Sequence, residues 1–289
     1  MARYLTPLRY PGGKQKLARY FHALLRDNDL IGGEYAEPFA GGAGIAIDLL
    51  LSDSVSRIHL NDADKGVYAF WHSILNETDE FCRRIVSASM TVDAWRSHRE
   101  VVRSEATDLL DLGFSTFFLN RCNRSGIQSG GVIGGLDQSG DWKMDARFPR
   151  NELIRRIEAI ALRGKDVKLR NWDAARFVKT YVPRLQGRTL VYLDPPYYKK
   201  ADRLYLHHYK PHDHAAIARS IFENIEQPWV VSYDCCPQII ELYSEYTRIE
   251  YDLQYNASEA YTGREVMFFN HEMVIPAEEP TSGRPCVLI

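Results

Sequence analysis

The stretch that most constrains the fold is residues 191–198, Val-Tyr-Leu-Asp-Pro-Pro-Tyr-Tyr. Bulky and β-branched side chains over Leu190–Leu193 predict a short buried strand. Neither following proline can donate a hydrogen bond to a strand ladder, so the backbone must leave the sheet after Asp194. Each proline also keeps the residue before it extended. We therefore expect a stiff loop at the carboxyl end of a strand, where open α/β sheets place their ligands.

This loop carries groups suited to an amino group on a planar ring. Asp194 is one acceptor, and the carbonyl before Pro196 is a second acceptor held at a fixed angle. Tyr197 adds a flat face for stacking. Accepting both hydrogens of an –NH2 group returns the delocalised lone pair to its nitrogen, which makes that nitrogen a better nucleophile. The structural alternative is a strand that ends in a Pro-Pro turn with two surface tyrosines.

A strand, a glycine-rich turn and a helix near the start of the chain predict the first unit of a nucleotide-binding α/β fold. They are Tyr35–Glu37, Pro38–Gly44 and Ile45–Leu51. The spacing is not the GxGxxG of dinucleotide enzymes, and no Lys-Ser or Lys-Thr follows as in a P-loop. We therefore expect a small ligand without phosphates, and Glu37 is placed to hold a cationic group on it.

The second predicted strand, Arg57–Leu60, ends in Asn61-Asp62. An acidic residue about twenty residues past the glycines is placed to accept both hydroxyls of a ribose. A ligand with a ribose and no phosphate fits S-adenosylmethionine. The alternative is an ordinary Asn-Asp turn.

Two other segments are expected at the same site. Pro11–Gly13 lets the backbone approach a ligand closely, and Lys14 follows at a helix start, where its charge opposes the helix dipole. That placement favours a functional lysine over a solvated one. Further on, strand Val167–Arg170 leads to Asp173, a carboxylate suited to the adenine amino group of a cofactor, with Phe177 near enough to pack on that ring.

A helical pattern over residues 65–112 leads into Phe117–Leu119, after which Asn, Arg, Ser and Gly dominate. We expect a β-hairpin or loop that projects from a helical platform and ends near Trp142-Lys143. Arginine and asparagine suit the edges of guanine and adenine, and no acidic residue occurs between Phe114 and Leu136. The alternative is a flexible surface loop.

The remaining segments predict a lid and the rest of the sheet. Residues 198–209 are polar and aromatic, as in a mobile lid. Pro211-His212-Asp213-His214 opens a helix, with Asp213 as a capping residue and two solvated histidines favoured over a metal site. A buried strand at residues 229–233 and an antiparallel pair, 246–253 and 265–269, follow, with a polar loop at 258–264.

The chain as a whole has the composition of an ordinary soluble globule of 289 residues. No apolar run is long enough to span a membrane, and no hydrophobic segment follows Met1–Tyr4 as a signal peptide requires. The five cysteines show no CxxC spacing, which indicates reduced thiols and neither disulfides nor zinc. We expect a cytoplasmic protein without a metal. The net charge of −2 does not by itself indicate a nucleic-acid binder.

Taken in order, the motifs resemble those of the Dam-like DNA adenine methylases, the α-group amino-methyltransferases, over most of the chain. Pro11–Lys14 matches the family's cofactor motif, Glu37–Gly44 its glycine loop and Asn61-Asp62 its ribose motif. Phe118–Arg121 matches a segment before the recognition hairpin, and Asp194–Tyr197 matches the catalytic motif.

The resemblance implies a Rossmann-like S-adenosylmethionine-dependent methyltransferase sheet formed by residues 1–65 and 153–289, with a mainly helical target-recognition domain inserted at 66–152. It implies direct methyl transfer to the N6 amino group of adenine in duplex DNA, without a covalent enzyme intermediate. The target base would be flipped out onto Tyr197 and held by Asp194 and the Pro195 carbonyl. Asp194 borders the cofactor pocket in such enzymes.

Patterns and resemblance together give three sets of site residues. These are, for catalysis, Asp194, Pro195, Pro196 and Tyr197; for the cofactor, Tyr10, Lys14, Glu37, Phe39, Gly41, Asp62, Asp173, Phe177 and Asp194; and for DNA, Asn120, Arg121, Asn123, Arg124 and Lys143. Tyr10 stands where many relatives carry tryptophan, which should preserve stacking on the cofactor. The segment after Arg124 lacks the sequence familiar from GATC-modifying members, so the target sequence is open.

Alternative substrates are RNA adenine, cytosine and a protein glutamine, and a non-catalytic DNA-binding relative is a further alternative. Glutamine enzymes usually carry Asn at the position of Asp194 and lack the large insert, and cytosine enzymes more often have Ser before Pro-Pro. The intact set of Lys14, Asp62, Asp194 and Tyr197 speaks against a silent binding protein. RNA stays open, as does a role in restriction-modification, in a phage, or in marking DNA for repair or replication. We expect a monomer.

Overall fold

The structure is a computed structural model that describes residues 5–9, 14–104, 108–198, 209–256, 260–281 and 289. Its centre is a mixed sheet with the strand order β3-β2-β1-β4-β5-β7-β6. The strands are β1 Glu34–Glu37, β2 Arg57–Asn61, β3 Val167–Arg170, β4 Thr189–Leu193, β5 Trp229–Asp234, β6 Thr247–Asn256 and β7 Ala260–Phe269.

Strands β1 to β5 are parallel, and β7 is antiparallel to both β5 and β6. The chain adds β2 and β3 on one side of β1, then returns to place β4 and β5 on its other side. The order of strands therefore reverses between β1 and β4. Open parallel sheets bind ligands in the crevice outside the carboxyl ends of the strands at such a reversal.

Ten α-helices of the described residues surround this sheet. They are α1 Ala18–Asp27, α2 Gly44–Leu51, α3 Lys65–Asn76, α4 Thr78–Ser87, α5 Val92–Arg103, α6 Leu109–Cys122, α7 Arg150–Ala161, α8 Ala174–Thr180, α9 Pro211–Asn224 and α10 Pro237–Leu242. A single 3₁₀ turn, Lys14–Leu17, leads into α1.

Alternating side chains of the strands divide the core between the two faces of the sheet. In β4, Leu190 and Tyr192 join a cluster with helices α1 to α7, whereas Val191 and Leu193 join a second cluster with α8, α9 and α10. Every residue of β4 is buried, as expected for a central parallel strand. The strand that leads into Asp194 is thus fixed from both sides.

Asp side chains fix the starts of three helices, α3, α6 and α8. Asp64 accepts hydrogen bonds from two backbone N–H groups at the start of α3, and Asp108 does the same at α6. Asp173 accepts one from Arg176 at α8. Such caps satisfy backbone donors that a helix start leaves without partners.

Most predicted elements of the sheet are confirmed, with one local correction. The predicted polar loop over residues 258–264 is wrong in part, because β7 begins at Ala260 and Arg264 lies within it. The segment after α6, predicted as a β-hairpin or loop, is a loop. Helix α6 continues to Cys122, and beyond it the described chain forms turns with one antiparallel bridge, Asn123 to Val132.

The predicted division into two domains stays a prediction. Helices α3 to α6 of the predicted target-recognition domain share one hydrophobic cluster with α1, α2 and the sheet. The boundary at residue 66 falls in the first turn of α3, and the boundary at 152 falls in the first turn of α7.

Candidate active site

The candidate site lies at the carboxyl ends of β1, β2 and β4. Strand β1 ends at Glu37, β2 is followed by Asp62, and β4 is followed by Asp194. Because β4 pairs with β1 and β1 pairs with β2, the three carboxylates follow adjacent parallel strands. These three carboxylates therefore lie on one rim of the sheet.

Asp194 is held by two neighbours and keeps 25% of its side chain exposed, so a ligand can reach it. The Ser232 hydroxyl donates to its Oδ1 at 2.7 Å, and the Lys14 ammonium lies 3.3 Å from the same oxygen. The Tyr192 hydroxyl is 2.7 Å from the Ser232 oxygen. Since Ser232 has one hydroxyl proton and gives it to Asp194, Tyr192 donates to Ser232. This chain of bonds fixes the carboxylate.

Lys14 lies inside the site and does not extend into solvent. Its ammonium is 2.5 Å from Glu265 Oε2 and 5.5 Å from the centre of the Tyr197 ring. Burial lowers the pKa of Lys14, but the carboxylates of Asp194 and Glu265 more than offset this and raise it well above its ordinary value. The lysine is therefore a permanent cation of the site.

The loop after β4 runs without regular secondary structure through Tyr197. Pro195 is buried and Pro196 is half-buried. Tyr197 is 3% exposed and belongs to the large hydrophobic cluster. The next backbone N–H, that of Tyr198, donates to Asp234 of β5 at 2.8 Å, which ties the end of the loop to the neighbouring strand.

The glycine turn after β1 is held by side chains from the strands and helices around it. The Gly41 N–H donates to Asp62 Oδ2 at 2.8 Å, and its carbonyl accepts from the Trp71 indole at 2.9 Å. Ala43, which precedes α2, adopts a left-handed conformation with φ 45°. Fully buried Asn61 donates to the Pro38 carbonyl at 3.0 Å. The turn is therefore preorganised.

Glu37 and Asp62 both bind protons more tightly than ordinary carboxylates. Burial raises the pKa of Glu37 to about 8, although the Tyr35 hydroxyl donates to it at 3.0 Å. Burial and the neighbouring carboxylate of Asp64 raise the pKa of Asp62 to about 7. Each Asp62 oxygen accepts one backbone N–H, from Gly41 and from Asp64, and keeps a further lone pair for a ligand.

Aromatic side chains near this rim differ from the sequence expectation. Phe177 is fully buried and stacks on Tyr181 with ring centres 4.7 Å apart, so it packs in the core and not on a ligand. Asp173 is exposed and caps α8. Half-buried Phe39 meets Tyr209 edge to face at 5.9 Å. Burial, with the carboxylates of Asp173, Asp213 and Asp62, raises the pKa of Tyr209.

Three of the five predicted DNA contacts are internal in this structure, which corrects the expectation that they are exposed. Asn120 accepts from the Arg9 N–H and donates to the Arg9 carbonyl, both at 2.7 Å. Arg121 donates to the backbone carbonyls of Arg147 and Pro7. Asn123 accepts from the Trp95 indole at 2.7 Å. All three side chains are buried, and they hold backbone segments together.

Arg124 and Lys143, the other two predicted DNA contacts, are exposed. The Lys143 ammonium also donates to the carbonyls of Gln138 and Gly140, at 2.6 and 2.9 Å, and so closes its own loop. Next to it Trp142 is 68% exposed, and the Arg147 guanidinium lies 5.9 Å from its ring centre. The segment that follows α6 thus carries exposed cations and an exposed indole.

The prediction for the start of α9 is confirmed for Asp213 and wrong for one histidine. Asp213 accepts from the Lys210 N–H at 2.8 Å and caps the helix. His212 is exposed, but His214 is 1% exposed among Tyr198, Tyr209 and Tyr233. Within the described ranges no group of three or more His, Cys, Asp or Glu side chains could hold a metal ion.

Other predictions lie where the structure cannot test them. Tyr10 and Pro11–Gly13 lie outside the described residues, as does most of the predicted lid at 198–209. Among the helices that the structure describes, none is long and apolar enough to cross a membrane.

Ser232 and Glu265 are site residues that the sequence prediction missed. Both are buried polar side chains next to buried apolar residues in their strands, Trp229–Asp234 and Ala260–Phe269. A polar residue that interrupts a buried strand was the available signal. It shows that a partner is required but does not say which one.

The site has the donors and acceptors that S-adenosylmethionine requires. Asp62 has free lone pairs for two ribose hydroxyls, and the Glu37 carboxyl lies at the end of β1 for a cationic group. Lys14 is engaged by two carboxylates, so it is not a free partner for a phosphate. When bound, S-adenosylmethionine supplies a methyl group on a cationic sulfur. The fold and the site therefore define an S-adenosylmethionine-dependent methyltransferase.

The family of D12 class N6 adenine-specific DNA methyltransferases matches residues 10–257, and the chain belongs to this family. No curated protein matches the sequence.

Solved structures show a distant likeness in fold. A proposed RNA methyltransferase from Pyrococcus horikoshii has 11% identity and a TM-score of 0.43, over 91% of this chain and 84% of that one. Magnesium protoporphyrin IX methyltransferase from Synechocystis PCC 6803, with bound S-adenosylmethionine, has 11% identity and a TM-score of 0.37, over 89% and 79%. An rRNA methyltransferase from Streptomyces viridochromogenes has 12% identity and a TM-score of 0.36, over 90% and 86%.

Proposed function

We propose that this methyltransferase acts on the N6 amino group of adenine in duplex DNA, with the target base flipped out of the helix. The observation that carries the proposal is the loop after β4. It presents a partly exposed carboxylate, Asp194, close to Tyr197 in the chain, and the chain belongs to a family named for adenine-specific DNA methylation. The base must leave the duplex because its N6 atom is otherwise inside the stack.

In this proposal Asp194 and the Pro195 carbonyl accept the two hydrogens of the amino group. The Ser232 and Lys14 contacts hold the Asp194 carboxylate in one orientation. A fixed acceptor stabilises the positive charge that grows on the amino nitrogen, without reorganisation during the reaction. Tyr197 supplies a face for the adenine ring. Because this ring is 3% exposed in the free protein, stacking requires that DNA binding uncovers it.

The cofactor set is proposed from the same crevice. The turn between β1 and α2 contains Gly41 and half-buried Phe39, and it follows Glu37 at the end of β1. Asp62 accepts from the Gly41 N–H, and Lys14 is proposed beside this turn. Asp173 keeps its predicted role at the adenine end, whereas Tyr209 replaces Phe177 as the aromatic neighbour.

DNA contacts are proposed for the exposed surface formed by Arg124, Trp142, Lys143 and Arg147. Exposed arginine and lysine bind phosphates, and an exposed indole can stack on a base. Asn120, Arg121 and Asn123 support this surface from beneath through their backbone contacts. We therefore assign positioning of the backbone to the buried residues and DNA recognition to the exposed ones.

Replacing Asp194 tests the proposal at its centre. Asp194→Asn keeps the shape of the side chain but replaces one acceptor oxygen by a donor, so it should lower the rate of methyl transfer to DNA by at least about a hundredfold. Binding of S-adenosylmethionine should persist. Glu223→Gln, a substitution of an exposed residue on α9, is the control and should methylate DNA at the wild-type rate. Methyl transfer at the wild-type rate by Asp194→Asn contradicts the proposed role.

A further inference from the structure

Glu265 is a buried carboxylate for which the proposed mechanism has no role. It lies in β7 opposite Asp234 of β5 and is 1% exposed. The residues that follow it, Val266 to Phe269, are fully buried and apolar. Burying an ion is costly unless a partner of opposite charge compensates it. The position of Glu265 therefore requires an explanation.

Lys14 is that partner, and it joins Glu265 to the active site. The Lys14 ammonium lies 2.5 Å from Glu265 Oε2 and 3.3 Å from Asp194 Oδ1. Its side chain is 11% exposed, so water screens neither contact well. The ammonium therefore lies between the two carboxylates and is closer to Glu265 than to Asp194.

The charge balance of these three groups matters for methyl transfer. Ionised Lys14, Asp194 and Glu265 carry one net negative charge together. If Glu265 were neutral, the Lys14 charge would fall on Asp194 alone, and the pair would be neutral. A neutral pair would attract the growing positive charge of the amino nitrogen less strongly.

We propose that Glu265 is a positioning residue for methyl transfer: it holds the Lys14 ammonium and so leaves the Asp194 carboxylate its negative charge. The inference rests on the proposed function, because Asp194 is the group that contacts the substrate there. Glu265 acts on the reaction only through Lys14.

Several titratable groups face this cluster and enter its pH dependence. Lys14 is faced by Asp194, Glu265, Tyr197 and Tyr251. For Glu265, burial raises the pKa, Lys14 lowers it, and Asp194 and Asp234 raise it again. Tyr192 faces Asp194 from β4, but burial raises its pKa well above the ordinary value.

Glu265→Gln is the first test, with methyl transfer to duplex DNA followed across pH. We expect kcat to fall about tenfold or more at neutral pH, which corresponds to one pKa unit of lost interaction. We also expect this deficit relative to wild type to shrink as the pH rises, because Lys14 loses the carboxylate that raises its pKa, becomes neutral at lower pH and then no longer neutralises Asp194. A purely structural defect would lower the rate by the same factor at every pH.

Glu250→Gln is the matched control. Glu250 lies in β6 of the same hairpin, opposite Val266, and pairs with Arg264 at 2.8 Å. Removing its charge should leave kcat and the pH profile unchanged within about twofold.

A double-mutant cycle with Lys14→Gln tests whether Glu265 acts through Lys14. Once Lys14 is gone, Glu265→Gln should cause no further loss of kcat. The double variant also removes both charges of the buried pair, which destabilises less than removing one. If Glu265→Gln does not fold, Glu265→Asp takes its place, and its rate loss should likewise vanish in the Lys14→Gln background.

NMR titration of labelled lysine in the free protein separates the inference from the proposed function. Glu265→Gln should lower the pKa of Lys14, whatever the substrate. A wild-type enzyme that methylates no DNA overturns the proposed function and leaves this readout intact. An unchanged Lys14 pKa, or independent losses in the double-mutant cycle, overturns the role of Glu265.

Discussion

The carboxylates of the crevice face different neighbours, and these neighbours separate their roles. Glu37 is buried beside a tyrosine hydroxyl and has its pKa raised to about 8, so at neutral pH it is mostly protonated. Asp62 accepts two backbone N–H groups and keeps lone pairs for hydroxyls. Asp194 has a serine donor and a lysine cation. Because their neighbours differ, these three carboxyl groups are suited to different roles.

The pKa of Glu37 predicts a pH-dependent stability. Its folded pKa of about 8 exceeds the ordinary value of 4.5. The protonated carboxyl therefore stabilises the folded state at low pH, and this contribution is lost as the pH rises toward 8. Relative to wild type, Glu37→Gln should gain stability between these values, by at most about 1.4 kcal/mol per pH unit.

Chemical denaturation at a series of pH values measures this difference. Glu223→Gln, an exposed carboxyl, is the control and should give a flat difference from wild type. A flat difference for Glu37→Gln as well would mean that Glu37 is ionised in the folded protein at neutral pH.

The same carboxyl predicts proton release when the cofactor binds. A cationic group placed beside Glu37 favours its ionised form, so binding at neutral pH should release a proton. Calorimetry of S-adenosylmethionine binding in buffers of different ionisation enthalpy measures that proton. Glu37→Gln should abolish the release, and a release that persists in this variant would assign the proton to another group.

Elements that lie far apart in the sequence are joined here by buried polar side chains. Asn120 of α6 pairs with the backbone of Arg9, and Arg121 reaches the backbone at Pro7. Arg156 of α7 donates to the Thr6 carbonyl at 3.0 Å. The segment that leads to the predicted cofactor motif is thus positioned by α6 of the predicted recognition region and by Arg156 of α7, outside that region.

Asn120→Ala should therefore destabilise the fold. It leaves the Arg9 N–H and carbonyl and the Gly126 carbonyl without this partner, which costs about 1–3 kcal/mol. Arg124→Ala, four residues later on the surface, should change the free energy of unfolding by less than about 0.5 kcal/mol. Denaturant unfolding compares the two, and equal effects would contradict the separation of inner and outer residues.

Local patterns in the sequence predicted helices, strands and turns well where a residue type has one structural effect. Pro195 and Pro196 end β4, the glycines after Glu37 form the turn, and alternation identifies the strands. Asn120 and Arg121 show where this reasoning fails. Their types suit both base edges and backbone carbonyls, and only the burial of α6 decides between these uses. The prediction for Phe177 has the same weakness, because an aromatic ring can pack in a core as well as on a ligand.

Glu265 could not have been placed from the sequence. Its partner Lys14 is 251 residues away, and the contact exists only because β7 enters the sheet beside β5. Pairing over such a distance depends on strand order, which no local pattern contains.

For the whole molecule, a net charge of −2 means that the proposed DNA binding must come from a local surface. Binding should still weaken steeply with salt, because each neutralised phosphate releases counterions. Replacing Arg124 and Lys143 together by alanine should reduce the slope of log K against log salt by about 1.8. Buried Asn123→Ala is the matched comparison and should leave the slope unchanged. A flat salt response of the wild type would count against duplex DNA.

The identity of the methylated product tests the central claim most directly. Purified protein is incubated with labelled S-adenosylmethionine and mixed-sequence duplex DNA or RNA, and the product nucleosides are separated. We expect label in N6-methyladenine from duplex DNA, and none with Asp194→Asn. Label confined to RNA or to cytosine, or label in neither nucleic acid while the cofactor still binds, would contradict the proposed function.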